Sequence, residues 1–265
     1  IPNISPKRKM KIAVLIKQVP GSDSPLQVNA ESNWIDEGTV AFEMNESDSY
    51  ALEEAMQIKE KSGGGEVVAI CMGPDRVQKI IREALAKGAD YGMHIKEEDN
   101  GDSDPLVTAA LLSESLKSED FDLVLSGLQS DDLGFGQIGV LIGEMLGMST
   151  ATLVMATEVS DGSIRVKREL ESGWFQWVTL PIPASLSIQS GLNQPRYPSL
   201  KGIMGAKKKE IKLIEKSELN GTSAKQSLAN FRVPQASKQT EMIEGTADQA
   251  VDRIMEVLKS ELRVL

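Results

Sequence analysis

The sequence predicts an α/β domain, doubly wound about a mostly parallel sheet, with antiparallel strands added later and a C-terminal arm that ends in a helix. Three observations predict it. Through the first half, short apolar runs that end in Gly or Pro alternate with amphipathic helical patterns. Four strand-like runs then follow one another across short turns. The tail is polar until one last amphipathic segment.

The elements can be justified in order. Residues 1–9 carry three basic residues and no acid, and read as an N-terminal extension or disordered tail ahead of Met10. "MKIAVLIKQVPG" (10–21) reads as one buried parallel strand stopped by Pro20 and Gly21. "SDSYALEEAMQIKEKSGG" (47–64) is an amphipathic helix with Tyr50, Leu52, Ala55, Met56 and Ile58 near its apolar stripe. "EVVAICMGP" (66–74) and "FDLVLSG" (121–127) repeat the strand design, and "DRVQKIIREALAKGAD" (75–90) is a helix that Asp75 can cap and Gly88 can end. This alternation gives a Rossmann-like sheet with right-handed crossovers.

"ATLVMATEVS" (151–160), "SIRVKRELES" (163–172), "FQWVTLP" (175–181) and "ASLSIQS" (184–190) read as antiparallel additions. "GLNQPRYPSLKGIMGAKKKEI" (191–211) has no steady period and reads as a long irregular loop. Domain limits follow at 10–210 for the α/β domain and 211–265 for the arm and helix. Residues 217–245 are polar and extended; "TADQAVDRIMEVLKSEL" (246–262) sets Ala250, Val251, Ile254, Leu258 and Leu262 on one face. Such an arm either folds back on its own core or embraces a partner, and the pattern leaves both open.

Composition narrows the chemistry. With 265 residues, 40% of them hydrophobic, the chain can bury one large core or two modest ones. A net charge of −10 argues against unaided nucleic-acid binding, which demands an excess of Lys and Arg. The lone Cys71 excludes an intramolecular disulfide; with the lone His94 it removes most metal cages and Ser-His or Cys-His nucleophilic designs. No apolar run of membrane-spanning length occurs and no secretory leader is recognisable, so neither membrane insertion nor export is expected, and a cytoplasmic setting is.

In doubly wound sheets ligands bind beyond the carboxyl ends of the strands, where the strand order reverses. Loops 18–24, 44–48 and 127–137 are the candidates. The third, "SGLQSDDLGFGQIGVLIGEMLG" (126–147), passes from an apolar strand through a Gly-rich acidic crook into a helix expected to start near Gly136. Its free amides and dipole would favour a phosphate by roughly 0.3–1 kcal/mol. Its glycines at 127, 134, 136 and 139 match neither the GxGxxG nor the P-loop spacing. By pattern alone an ordinary turn reads as well, with Asp131 and Asp132 as solvated caps; both acids would repel a phosphate unless they face ribose hydroxyls or water. Within 191–211, Tyr197, Leu200, Ile203 and Met204 stand beside Arg196 and Lys201, as in a protein-docking hook or in a packed structural loop.

Several long strings then carry a resemblance: "AVLIKQVPG", "MNESDSYALEEAMQIKE", "GPDRVQKIIREALAKGAD", "VKRELESG", "LNQPRYPSLKGIMGAKKKEI" and "EMIEGTADQAVDRI", collinear over nearly the whole chain from Met10. Together they resemble the β subunit of electron transfer flavoprotein. The resemblance implies an adenine-nucleotide α-hydrolase-like sheet and a heterodimer in which the arm wraps the α subunit. FAD would sit mainly on that α subunit, and the β subunit would bury AMP as a structural element. The implied AMP contacts are Leu15, Asn45, Glu46, Ser47, Asp48, Met72, Gly127, Leu128, Gln129, Ser130, Asp131, Asp132, Gly136, Gln137 and Ile138. At Leu133, Gly134 and Phe135 the crook departs from the more polar or small residues of relatives.

The family's recognition loop corresponds to about 188–210, with Leu200 as the apolar plug for partner dehydrogenases, acyl-CoA dehydrogenases among them, and Tyr197, Ile203 and Met204 around it. Glu169 matches an acid at the subunit and domain interface. Electrons would pass onward to a membrane-bound quinone oxidoreductase or another acceptor. This chain itself would catalyse no bond-making step. Three other readings stand beside it: a bifurcating β subunit with a second FAD and NADH as donor, a stand-alone adenine-nucleotide sensor, and an adenylating or pyrophosphate-releasing enzyme. The last needs a Ser/Gly-rich grip after the first strand, of which "KQVPGSDSP" is a poor version.

Overall fold

A computed structural model describes residues 9–31, 34–98, 103–234 and 240–265. The N-terminal extension, apart from Lys9, lies outside the described residues. The chain divides into two compact units, Ile1–Phe231 and Arg232–Leu265.

In chain order the first unit holds β1 (Met10–Leu15), β2 (Gln18–Pro20), β3 (Phe42–Met44), α1 (Glu46–Lys61), β4 (Gly65–Gly73), α2 (Gln78–Lys87), β5 (Tyr91–Lys96) and α3 (Pro105–Leu116). There follow β6 (Leu123–Gly127), α4 (Ile138–Met145), β7 (Ser149–Ser160), β8 (Ser163–Glu169), β9 (Phe175–Pro181), β10 (Ala184–Ile188), α5 (Leu200–Ala206) and β11 (Ile211–Glu215). Nine strands form one sheet in the order β11-β5-β4-β1-β6-β10-β7-β8-β9, and β2 pairs with β3 in a separate ribbon.

From β1 the chain winds outward through β4 and β5, then crosses back to place β6 on the other side of β1, parallel to it. The strand order therefore reverses between β1 and β6. Their carboxyl ends, Leu15 and Gly127, flank the crevice that such a reversal opens. Ile12 and Val14 belong to one apolar cluster with Leu52, Ala55, Ile81 and Leu85, whereas Ala13 and Leu15 join Ala109, Leu112, Leu116 and Ile142 in the other. Helices thus cover both faces, and the strands between them are apolar without alternation. Each fully buried Leu or Ile contributes about 1.5–3 kcal/mol, so these two layers fix the strand ends that carry the site.

Several elements differ from the sequence reading. The run 10–21 is not one strand: the Ile16 amide makes a last bond to Ile70, then the Lys17 amide donates to the Asp48 carboxylate at 2.7 Å and the ladder stops. Gln18–Pro20 turns into an antiparallel pair with β3. β10 is not an antiparallel addition; it lies parallel to both β6 and β7 between them. Its Ser185 and Ser187 look like a solvated face, but both are buried under α4, where the Ser185 hydroxyl donates to the Gly139 carbonyl at 2.8 Å. Within the nine-stranded sheet the antiparallel pairs are β7 with β8 and β8 with β9.

A third of the segment read as an irregular loop is helix α5, capped by Ser199, whose hydroxyl accepts from the Gly202 amide at 3.0 Å. Its glycines mask it in the sequence; Gly202 is required because a Cβ there would overlap the Ala86 carbonyl. Residues 211–215, assigned above to the arm, form β11 beside β5. Asp75 does not cap α2 with its side chain; it reaches Lys96 at 3.2 Å, while Gly88 ends the helix at φ 129°. α4 starts at Ile138, two residues after the expected Gly136. β5 and α3 lie in a stretch where pattern specifies no element, since Gly92 and the buried His94 interrupt the one and α3 is apolar nearly all round.

The second unit contains α6 (Ala247–Glu256), opened by a capping box between Thr246 and Gln249 and continued by a wider turn over Val257–Glu261. Arg253 ties it together through Glu241, Glu256 and Glu261. Part of the polar stretch before it belongs to the first unit, where the amides of Lys225 and Gln226 donate to the Asp104 carboxylate at 2.6 and 3.0 Å.

Candidate functional site

A cavity of about 860 Å3 opens where β1 and β6 end. Of the residues proposed for AMP, Leu15, Asn45, Glu46, Asp48, Met72, the run Gly127–Asp132, and Gly136, Gln137 and Ile138 line it; Ser47 does not. The structure therefore gathers segments separated by more than a hundred residues into one place.

Within that group the residues divide by what they touch. Asp48 is buried and spans the two strand ends: one oxygen accepts from the Lys17 amide at 2.7 Å, the other from the Gly127 amide at 2.9 Å. Burial pushes its carboxyl up to about 7 against these two donors, which favour the charged form. Asn45 donates to the Gln129 carbonyl at 3.0 Å and accepts from the Asp131 amide at 2.9 Å, and the Ser47 hydroxyl donates to the same Gln129 carbonyl at 2.8 Å. Asn45, Ser47 and Asp48 thus brace the crook and leave other atoms to meet a ligand. Gly127 is the joint of this brace. A Cβ there would overlap Ser47 and Asp48.

The two acids of the crook are also engaged. The Asp131 carboxylate accepts from the Glu46 amide at 3.0 Å, an anion at the positive end of α1. Asp132 pairs with the Lys17 ammonium at 2.7 Å. Burial alone would push the Asp132 carboxyl up; the Lys17 charge and the hydrogen bonds from Lys17, Ser130 and Leu133 hold it below the usual carboxylate value.

What remains open to the cavity is suited to an anion and a flat apolar ring. Gly134 and Gly136, both at φ 64°, turn the chain through left-handed backbone into α4. The first turn of α4 carries amides without intrahelical partners, and its N-cap Gln137 makes no side-chain capping bond. Beneath that turn lies Ser126, 6% exposed, whose hydroxyl has no hydrogen-bond partner among the described residues. It stands 2.7 Å from where a Cβ on Gly139 would be. A buried hydroxyl beside a helix start could donate to an acceptor placed there. On the other side Leu15, Ile70, Met72 and Leu112 form apolar walls. A mononucleotide has both parts.

Sequence reasoning missed Ser126 and Lys17, and it flagged Leu133 and Phe135 without assigning them to the site; all four line the cavity. The available signal was adjacency: Ser126 precedes the key Gly127, and Lys17 follows the first strand directly. Cys71 is buried, and burial together with the Asp48 charge pushes its thiol up to about 12, away from nucleophilic use. Among the described residues no group of His, Cys, Asp and Glu is placed to hold a metal ion, and no helix is long and apolar enough to cross a membrane.

The docking candidates sit apart from the cavity, on and before α5. Tyr197, Leu200 and Met204 are 93%, 82% and 72% exposed, and Ile203 is exposed less fully. The segment beneath them is pinned. Arg196 binds the buried Glu53 at 2.7 Å and Glu60 at 2.6 Å on α1, and Arg82 on α2 donates to the carbonyls of Ala206 and Lys209 at 2.7 and 2.6 Å. Glu169 ends β8 and accepts from the Gln189 side chain at 2.7 Å.

Comparison with known proteins places this architecture. Residues 32–219 match the family described as "Electron transfer flavoprotein domain". The chain is 35% identical to "Electron transfer flavoprotein subunit beta" of Methylophilus methylotrophus, over 94% of this chain and 98% of that protein. Proteins of the same name from Dictyostelium discoideum (32% identical, 94% of this chain and 97% of the relative) and Bacillus subtilis strain 168 (31%, 97% and 100%) are similar over the same extent.

Proposed function

Because the chain belongs to the electron transfer flavoprotein β-subunit family, we propose that it is the half of a heterodimer that anchors the carrier to its electron donors and stores an AMP in the crook. The buried, unpartnered Ser126 hydroxyl under the start of α4 carries the AMP reading. It would donate to the phosphate together with amides near Gly136 and Gln137, while Leu15 and Met72 would wall the adenine and Gln129 and Gln137 would read polar edges. AMP here is structural: it fills the crevice between the ends of β1 and β6. FAD, held mainly by the α subunit, supplies the redox chemistry of the complex.

This chain contributes position. Leu200, with Tyr197, Ile203 and Met204 around it, would plug into an apolar pocket of flavin dehydrogenases such as acyl-CoA dehydrogenases. The bracing of Arg196 and Arg82 supports that reading, since a preformed projection loses little entropy on binding. A small contact that releases fast suits a shuttle between donor and a membrane-bound quinone oxidoreductase. Glu169 would sit at the subunit interface and bias the swing of the flavin domain. The stretch from 211 onward would wrap the α subunit with its later part, where Val251 and Ile254 on α6 are exposed. The working compartment is taken as the cytoplasm.

The test is a count of nucleotides. The chain is purified with its α subunit, the complex is denatured, and the released nucleotides are identified by chromatography and mass spectrometry. One FAD and one AMP per heterodimer are expected. Two FADs and no AMP would overturn the AMP assignment and make this chain the NADH-facing half of a bifurcating enzyme.

A further inference from the structure

The crook presents an electrostatic contradiction. Residues 127–138 contain Asp131 and Asp132 and no Lys or Arg, and the buried Asp48 lies directly behind them. A phosphate monoester brought there meets acidic side chains and no basic residue of the loop itself, which disfavours binding unless the acids are compensated. Two of the three are satisfied by backbone: Asp48 by the amides of Lys17 and Gly127, Asp131 by the Glu46 amide at the start of α1. Asp132 is left, and it accepts its own neighbour's amide from Leu133 at 2.7 Å.

Among the described residues that line the cavity, the cationic side chains are Lys17 and Arg76. Arg76 is committed elsewhere. Its guanidinium bonds Gln18 at 2.5 Å and Glu37 at 3.1 Å and stacks 3.8 Å over the Phe42 ring. Lys17 instead extends its ammonium to Asp132 at 2.7 Å and to the Ser130 hydroxyl at 3.3 Å, from a backbone fixed by Asp48.

We propose that Lys17 is the charge-compensating residue of the crook: by pairing with Asp132 it turns an acidic loop into one that admits a nucleotide phosphate. It is a positioning residue, holding Asp132 and Ser130 in place and cancelling one charge, while the donors to the phosphate are Ser126 and the α4 amides. The proposal rests on the mononucleotide reading of the crook.

The test uses the full chain in complex with its α subunit, freed of endogenous nucleotide and titrated with AMP by calorimetry. Lys17→Met should weaken AMP binding on the order of tenfold, as expected when a partly buried charge loses its partner. Lys17→Arg, which keeps the charge, should stay within about threefold of the parent, well inside the spread for a retained ion pair. Asp132→Asn should tighten binding, and the double variant Lys17→Met/Asp132→Asn should return close to the parent. A double variant as weak as Lys17→Met would overturn the proposal by making Lys17 a direct phosphate ligand. Equal binding by Lys17→Met and parent would overturn it as well. A parent that takes up no AMP at all would overturn the mononucleotide reading and this proposal together. Unfolding midpoints of all variants separate lost binding from lost structure.

Discussion

The crook and the 197–204 projection treat their side chains in opposite ways. In the crook nearly every polar group is already engaged, Asn45 with Gln129 and Asp131, Asp48 with two strand ends, Asp132 with Lys17, and the conspicuous exception is the buried Ser126 hydroxyl. Around α5 the polar groups underneath are engaged in the same manner, but Tyr197, Leu200 and Met204 are left in water. The difference teaches what each region awaits. On the proposed reading, a crook whose braces satisfy one another while the buried Ser126 hydroxyl has no partner among the described residues would suit a small ligand that stays, and a pinned platform with bare apolar side chains would suit a protein that comes and goes.

That contrast can be broken, most drastically at Gly127. A Gly127→Val side chain would overlap Ser47 and Asp48 and force α1 away from β6. The complex should lose about 3 kcal/mol or more of stability in denaturant unfolding together with its nucleotide; a parent-like midpoint would show that the brace is dispensable. The pH dependence comes next. Because burial raises the folded-state carboxyl of Asp48 from 3.8 to about 7, its protonated form contributes stability that is complete below pH 4 and lost as pH rises through 7. The span is on the order of 4 kcal/mol, and Asp48→Asn should flatten this part of the stability curve. An unchanged slope would place the titration elsewhere.

Arg196→Ala addresses the platform. It strands the buried Glu53 and should cost about 1–2 kcal/mol, after allowance for the solvent that reaches Arg196, and should weaken docking by loosening what Leu200 stands on. Leu200→Ala is the sharpest comparison because its structural effect is the smallest. Stability should hold within about 0.5 kcal/mol and nucleotide content should not change, while the apparent KM for electron transfer from a dehydrogenase rises about tenfold. Equal kinetics for variant and parent would remove the docking role.

Legibility followed solvent. β4, β6, α1 and α2 were readable because their neighbours impose one rule on every residue, apolar inside. The crook was readable as a location, since the glycines and the strand end mark it. Its wiring was not: that Asp131 serves α1 and that Lys17 belongs with Asp132 depends on contacts across 85 and 115 residues. α5 was hidden by Gly202 and Gly205, of which Gly202 is present for close packing against Ala86 and not for a turn, and the parallel placement of β10 was hidden by serines that bury themselves under glycines of α4. In each miss a local pattern carried its ordinary meaning and a distant partner changed it.

The placement of β10 between β6 and β7 has a consequence for synthesis. As the chain emerges, β6 and the β7–β9 meander are both complete before the strand that joins them exists, so β6 waits with an open edge and the meander has no seat in the sheet. A nascent chain stopped before Ala184 should therefore be recognised as unfinished. Pairing of Ala184–Ile188 with both β6 and β7 would then join the two pieces into one sheet and set the Ile188 carbonyl against the Leu128 amide at the base of the crook.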